Sequence, residues 1–131
     1  MAAAVSKERQ ALGKSGEELA VAELRRRGYA ILARRYRTRH GEIDIIAEDR
    51  GAVVFVEVKA RVTGEYGGAA AAVTPLKQRR LTAMAVHYLA IRRWLDRPCR
   101  FDVVAIDDAS GVCPRVSVYP SAFDAQGDPP L

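Results

Sequence analysis

Two apolar runs, Glu42–Glu48 (EIDIIAE) and Ala52–Ala60 (AVVFVEVKA), flank Asp49-Arg50-Gly51 and constrain the fold more than any other feature of the chain. Their β-branched content and the turn residues between them predict an antiparallel hairpin with Arg50 and Gly51 as its central pair. Asp49 then faces Ala52, and the same register sets Asp44 opposite Glu57 and Glu42 opposite Lys59. Strand alternation puts Glu57 and Lys59 on one face, and Asp44 on a face with Glu42 and Ile46 while Ile43, Ile45 and Ala47 turn to the core. Facing residues have Cβ atoms about 4.5–5.5 Å apart, so two carboxylates there repel unless a cation or proton lies between them. Two acids fixed on a rigid hairpin suit a hard divalent ion such as Mg2+, which is ordinarily held by one or two carboxylates, waters and substrate phosphates. Lys59 is placed to orient an attacking water or to stabilise charge on a phosphorane oxygen. A surface Glu42–Lys59 pair beside a solvated Asp44 would account for each residue singly, but not for their alignment.

The flanking segments read as helices and further strands. From Lys7 to Arg27, after Ser6 as N-cap, there is no proline, and Gly28 supplies a stop, which predicts a first helix. Glu17 lies on a stripe with Gly13, Ala20, Val21 and Leu24 and is expected to face the sheet. Glycines inside a helix cost about 1 kcal/mol each, so Gly13 and Gly16 point to close backbone approach. Leu12 and Leu19 project from the other side and suggest a homodimer interface. Tyr29–Arg37 reads as a strand. After the loop-like residues 62–68, Thr74 and Pro75 open a second helix running to about Leu95, with Leu81, Met84, Ala85, Tyr88, Leu89 and Leu95 as its apolar stripe. Arg100–Asp107 and Pro114–Tyr119 are the last two strands, with Asp102 expected to serve as a structural partner for a nearby arginine. The order α-β-β-β-α-β-β predicts an α/β fold, a mixed central sheet flanked by helices and centred on Phe55-Val56. One domain over residues 6–123 and a disordered tail over 124–131 complete the expected organisation.

Size and charge narrow the function. The chain has 131 residues, enough to bury roughly two-thirds of its unfolded surface without disulfides. No stretch approaches the ~18 apolar residues of a membrane span, and no signal-peptide pattern opens the chain, so a cytoplasmic protein without membrane association is expected. Cys99 and Cys113 lack metal-ligand spacing and are expected to be reduced thiols. The net charge of +5 is compatible with nucleic acid as partner. It becomes more telling once three or four acids are gathered in one patch, because the remaining surface is then more basic.

Five motifs together resemble a known family. Gly13-x-x-Gly16-Glu17-x-x-Ala20, Tyr36-Arg37-x-x-x-Gly41-Glu42-Ile43-Asp44, Phe55-Val56-Glu57-Val58-Lys59-x-Arg61, Lys77-x-x-Arg80-Leu81 and Arg100-Phe101-Asp102-Val103-Val104 resemble the YraN-like family of uncharacterised bacterial proteins. The resemblance covers about residues 10–123. That family is similar to archaeal Holliday-junction resolvases of the PD-(D/E)XK nuclease superfamily, which implies a restriction-endonuclease-like fold. It further implies that Asp44 and Glu57 bind metal with the Val58 carbonyl, that Lys59 is the catalytic lysine, and that Glu17 completes the metal or water shell. Arg37, Arg39, Arg61, Lys77 and Arg80 become candidates for phosphate contacts. The expected activity is Mg2+- or Mn2+-dependent hydrolysis of phosphodiester bonds in structured or branched DNA. The alternatives are a non-catalytic nucleic-acid-binding module with the same fold and an assembly or RNA-processing factor that uses only the basic surface.

Overall fold

The computed structural model describes residues 16–61, 73–107 and 113–125. Strands β1 (Ala30–Thr38), β2 (Gly41–Asp49), β3 (Ala52–Arg61), β4 (Cys99–Asp107) and β5 (Arg115–Phe123) form one sheet in the order β1-β2-β3-β4-β5. A helix over residues 16–26 (α1) precedes β1, and α2 (Pro75–Arg92) lies between β3 and β4. The order is therefore α-β-β-β-α-β-β, as the sequence predicts. β3 and β4 run parallel while the other neighbours are antiparallel. A parallel pair cannot be closed by a tight turn, and α2 supplies the crossover.

Local chemistry sets the boundaries. Gly28 ends α1 with a φ of +93°, its N–H reaching the Arg25 carbonyl at 2.9 Å while the Tyr29 N–H reaches that of Leu24 at 3.0 Å. These two bonds satisfy carbonyls that the helix end would leave open. The hairpin turn holds Arg50 at φ 52° and Gly51 at φ 84°, the paired left-handed conformation whose twist matches the adjoining strands. Asp49 faces Ala52, and the register continues to Ile45 opposite Val56, as expected. At α2 the Thr74 side chain caps the Lys77 N–H and Pro75 opens the first turn, again as expected. The helix stops at Arg92 rather than near Leu95, because Arg93 takes the left-handed conformation and returns its N–H to the last turn. Leu95 therefore leaves the predicted stripe and is 62% exposed, while Leu81, Met84, Ala85, Tyr88 and Leu89 are buried.

Both sheet faces are covered, and this corrects the one-sided reading of β2. Ile43, Ile46, Val53, Phe55, Phe101 and Val103 pack with α2, and Ile45, Ala47, Val54, Val56, Val104 and Ile106 pack with Ala20, Val21 and Leu24 of α1. Ile46, expected beside Asp44 on the acid face, is fully buried under α2. Alternation holds from Ile45 to Ala47 but breaks at Asp44, which leaves Ile43 on the same side as Ile46. Leu19 packs partly buried against the α1-side core. Leu12 and Gly13 lie outside the described residues, as do residues 126–131 of the tail. β5 extends past Pro120 to Phe123, which an edge strand tolerates. Among the described residues no helix is long and apolar enough to cross a membrane, and Cys99 and Cys113 are free thiols.

Asp102 is wholly buried. It accepts from Tyr29 Oη at 2.9 Å, Arg100 Nε at 3.0 Å and the Ser121 N–H at 3.0 Å, and Arg100 also bonds Asp49 at 2.7 Å. Burial opposes the charge on Arg100, yet Asp102 and Asp49 raise its proton affinity above the ordinary value. The expected structural role of Asp102 is borne out, and the network ties β2, β4, β5 and the residue following α1 together.

Candidate active site

Glycine seats α1 against the sheet. A Cβ on Gly16 would lie 3.3 Å from Ile106 Cδ1 and 4.0 Å from Ala60 Cβ, so the helix backbone rests almost directly on β3 and β4. One residue on, Glu17 is 7% exposed and faces the sheet as predicted. Its Oε2 accepts from Arg35 Nε at 2.8 Å, while its Oε1 is buried with no partner among the described residues. A buried carboxylate oxygen without a partner carries a desolvation penalty, and such an atom calls for an ion, a proton or a water.

Below Glu17 the sheet is irregular at the level of Asp44. The ladder between β2 and β3 ends at Ile45–Val56, and just past that end the Val58 N–H donates to Asp44 Oδ2 at 2.8 Å. On the other side, Arg35 falls between the pairs Arg34–Ile45 and Tyr36–Ile43 and holds φ 52°, a strained conformation for a side chain in a strand. That departure accompanies the Arg35–Glu17 ion pair. Oxygens of Glu17, Glu42 and Asp44 all lie within 4.8 Å of one another.

The register expected from the turn thus holds for five pairs and stops short of the acids. Glu57, 6% exposed on β3, forms an ion pair with Lys77 of α2. Glu42 takes Arg37 Nε at 3.2 Å instead of Lys59, because the ladder that would bring Glu42 and Lys59 together has ended. Lys59 is exposed and forms no ion pair among the described residues. Arg61 is directed to Asp107 at 2.8 Å, away from the acids. Arg37, Arg39 and Arg80 are exposed. Sequence reasoning missed Arg35 as a partner of Glu17 and Lys77 as a partner of Glu57. The adjacent Arg34 and Arg35 were the available signal for the first, since neighbouring strand residues point to opposite faces and one arginine must then meet a covered face.

Three acids have a cation of their own, whereas Asp44 has a backbone N–H. Burial, followed by the charge of Glu57, pushes the Asp44 carboxyl up to about 7 against the Val58 N–H and Lys77, and Glu17 adds to the rise. The donor set is all oxygen, of the kind that holds Mg2+ or Mn2+, and the orphaned Glu17 oxygen beside two further carboxylates fits such an ion. Glu17, Glu42 and Asp44 would hold it, with Glu57 available once Lys77 moves aside. An ion bound there would polarise a phosphoryl oxygen and acidify a water.

The raised Asp44 value has two consequences of opposite sign. Below about 7 a proton competes with metal, so Mn2+ affinity is expected to rise as pH increases toward that value, by at most about tenfold per pH unit, and then to level off. Calorimetry in buffers of different ionisation enthalpy should register proton release below the plateau, and a pH-independent affinity would contradict the assignment. In the metal-free protein the folded chain holds more protons than the unfolded one between about 4 and about 7. Asp44 therefore costs stability as pH rises through that window, and Asp44→Asn is expected to flatten this dependence in urea titrations.

The profile of the uncharacterised protein family UPF0102 matches residues 16–106. A UPF0102 protein of Anaeromyxobacter dehalogenans is 47% identical over 121 residues, covering 92% of this chain and 90% of that protein. One from Geobacter metallireducens is 48% identical over 115 residues, covering 88% and 93%. Another, from Ralstonia pickettii, is 55% identical over 104 residues, covering 76% and 82%.

Proposed function

The chain belongs to the uncharacterised protein family UPF0102, and from its acid cluster we propose that it is a metal-dependent endonuclease that hydrolyses phosphodiester bonds of structured or branched DNA. The observation that carries this reading is the gathering of Glu17, Glu42 and Asp44 oxygens within 4.8 Å, with one buried oxygen unpartnered. Mg2+ or Mn2+ supplies Lewis acidity there when bound. The chain's own residues do the rest. Glu17, Glu42, Asp44, Glu57 once freed from Lys77, and the Val58 carbonyl would hold that ion against the phosphate and the attacking water, and Lys59, exposed and without an ion pair among the described residues, stabilises charge growing on the phosphoryl oxygens. Arg37, Arg39 and Arg80 bind flanking phosphates. Arg35 positions Glu17 through their ion pair.

The second reading, a non-catalytic nucleic-acid-binding module, is favoured by one observation: Lys77 and Arg35 already neutralise Glu57 and Glu17 from within the chain. Labelled four-way junctions, flaps, single strands and duplexes incubated with Mg2+ or Mn2+ separate the two. Nicking of at least one branched substrate, stopped by a chelator, is expected. Absence of nicking together with absence of calorimetric Mn2+ binding overturns the enzyme in favour of the module.

A further inference from the structure

Building on the endonuclease reading, which supplies the anionic partner, we infer that the groove between the β1–β2 turn and α2 seats an unpaired polynucleotide strand, so that the substrate is a structured nucleic acid with a single-stranded arm. Two adjoining hollows of about 280 and 630 Å³ share His40 and Met84. The inner one reaches Glu42 and Lys77, residues of the acid cluster and its ion pairs. The outer one continues past Met84 to Arg37, Arg39 and His87. Each hollow is near the size range of small-ligand sites.

The lining carries two chemistries at once. Arg39 and Arg80 stand along it beside Arg37 and Lys77, which are paired with Glu42 and Glu57, an excess of cations that favours a chain of phosphates. Between the cations the surface is apolar, with buried Leu81 and Met84 below and Val86, 48% exposed, on the wall. Gly41 holds φ +132°, a backbone conformation side chains rarely adopt, and a Cβ there would make only ordinary contact with Met84 Cε at 3.7 Å. His87 Nδ1 is paired with Tyr36 Oη at 3.2 Å, and His40 and His87 are both exposed along the lining, a residue type that stacks on bases. A basic surface that merely keeps a protein soluble needs no apolar hollow. A duplex holds its bases stacked between its backbones and meets such a hollow with phosphates alone, whereas an unpaired strand lays base and sugar into it.

Fluorescence anisotropy on the full chain in chelator, where nothing is cut, tests this with a short labelled oligodeoxynucleotide, its RNA counterpart and the blunt duplex. The single strand is expected to bind more tightly than the duplex. Ala83→Glu, at an exposed lining position, is expected to weaken single-strand binding about tenfold. Leu95→Glu, the same charge change outside the groove, is expected to weaken it less than about twofold, with both variants melting like the parent. RNA bound as tightly as DNA assigns the groove to unpaired strands of either sugar, and a DNA preference assigns it to deoxyribose strands. A duplex preference, or equal losses in the two variants, overturns the groove even if metal-dependent nicking of duplex persists. Groove binding by a protein that never cuts keeps this inference and removes the nuclease reading.

Discussion

Glu57→Ala is expected to lower metal-dependent cleavage at least about a hundredfold while leaving the chain folded. Glu57 is 6% exposed and sits beside Asp44, whose proton affinity its charge raises. Removing that charge relieves a repulsion within the cluster. Lys77 is left without its partner, but its side chain is 48% exposed and returns to water at little cost. Folding stability should therefore change by less than about 1 kcal/mol near neutral pH, and the loss of cleavage cannot be charged to unfolding. The Asp44 carboxyl should also fall from about 7 toward the ordinary carboxylate range, moving the pH dependence of residual Mn2+ binding to lower values. Cleavage persisting at the parent rate in a purified variant with an unchanged melting curve would remove Glu57 from the site.

Asp102→Ala is expected to have the largest effect on stability, about 3 kcal/mol. The substitution leaves the Tyr29 hydroxyl and the Ser121 N–H without their acceptor and removes one of the two carboxylates bonded to Arg100. Arg100 keeps Asp49 at 2.7 Å and is 21% exposed, which holds the cost toward the lower end of what breaking a buried ion pair entails. Urea denaturation measures the loss. A change below about 1 kcal/mol would show that the network is dispensable. Glu17, Glu42, Asp44 and Glu57 bond to none of its members among the described residues, so Mn2+ affinity of the folded variant should stay at the parent value.

Much of the fold was written in local pattern. Arg50-Gly51 specified the turn, the turn specified the register, and Thr74-Pro75 specified the start of α2. Each rests on interactions within a few residues. Glu17 was legible because a carboxylate among small and apolar residues on one helical stripe has to face whatever the helix covers. The faces of β2 were misread because alternation breaks at Asp44: Ile45 and Ala47 pack on the α1 side and Ile46 on the α2 side, but Ile43 packs with Ile46, and such a local irregularity leaves no mark in the sequence pattern.

The sequence by itself determined the element order and the hairpin register from Asp49–Ala52 to Ile45–Val56, and named the candidate acids, since propensity, turn chemistry and spacing are properties of neighbours along the chain. Only the tertiary structure decided how those acids are partnered. Arg35 reaches Glu17 across 18 positions and Lys77 reaches Glu57 across 20, and the ladder between β2 and β3 ends one pair before Asp44 would face Glu57. Which carboxylate keeps a cation, which keeps a proton and which keeps an empty lone pair depends on where α1 and α2 come to rest on the sheet. The close packing of those layers sets that, and no local pattern encodes it.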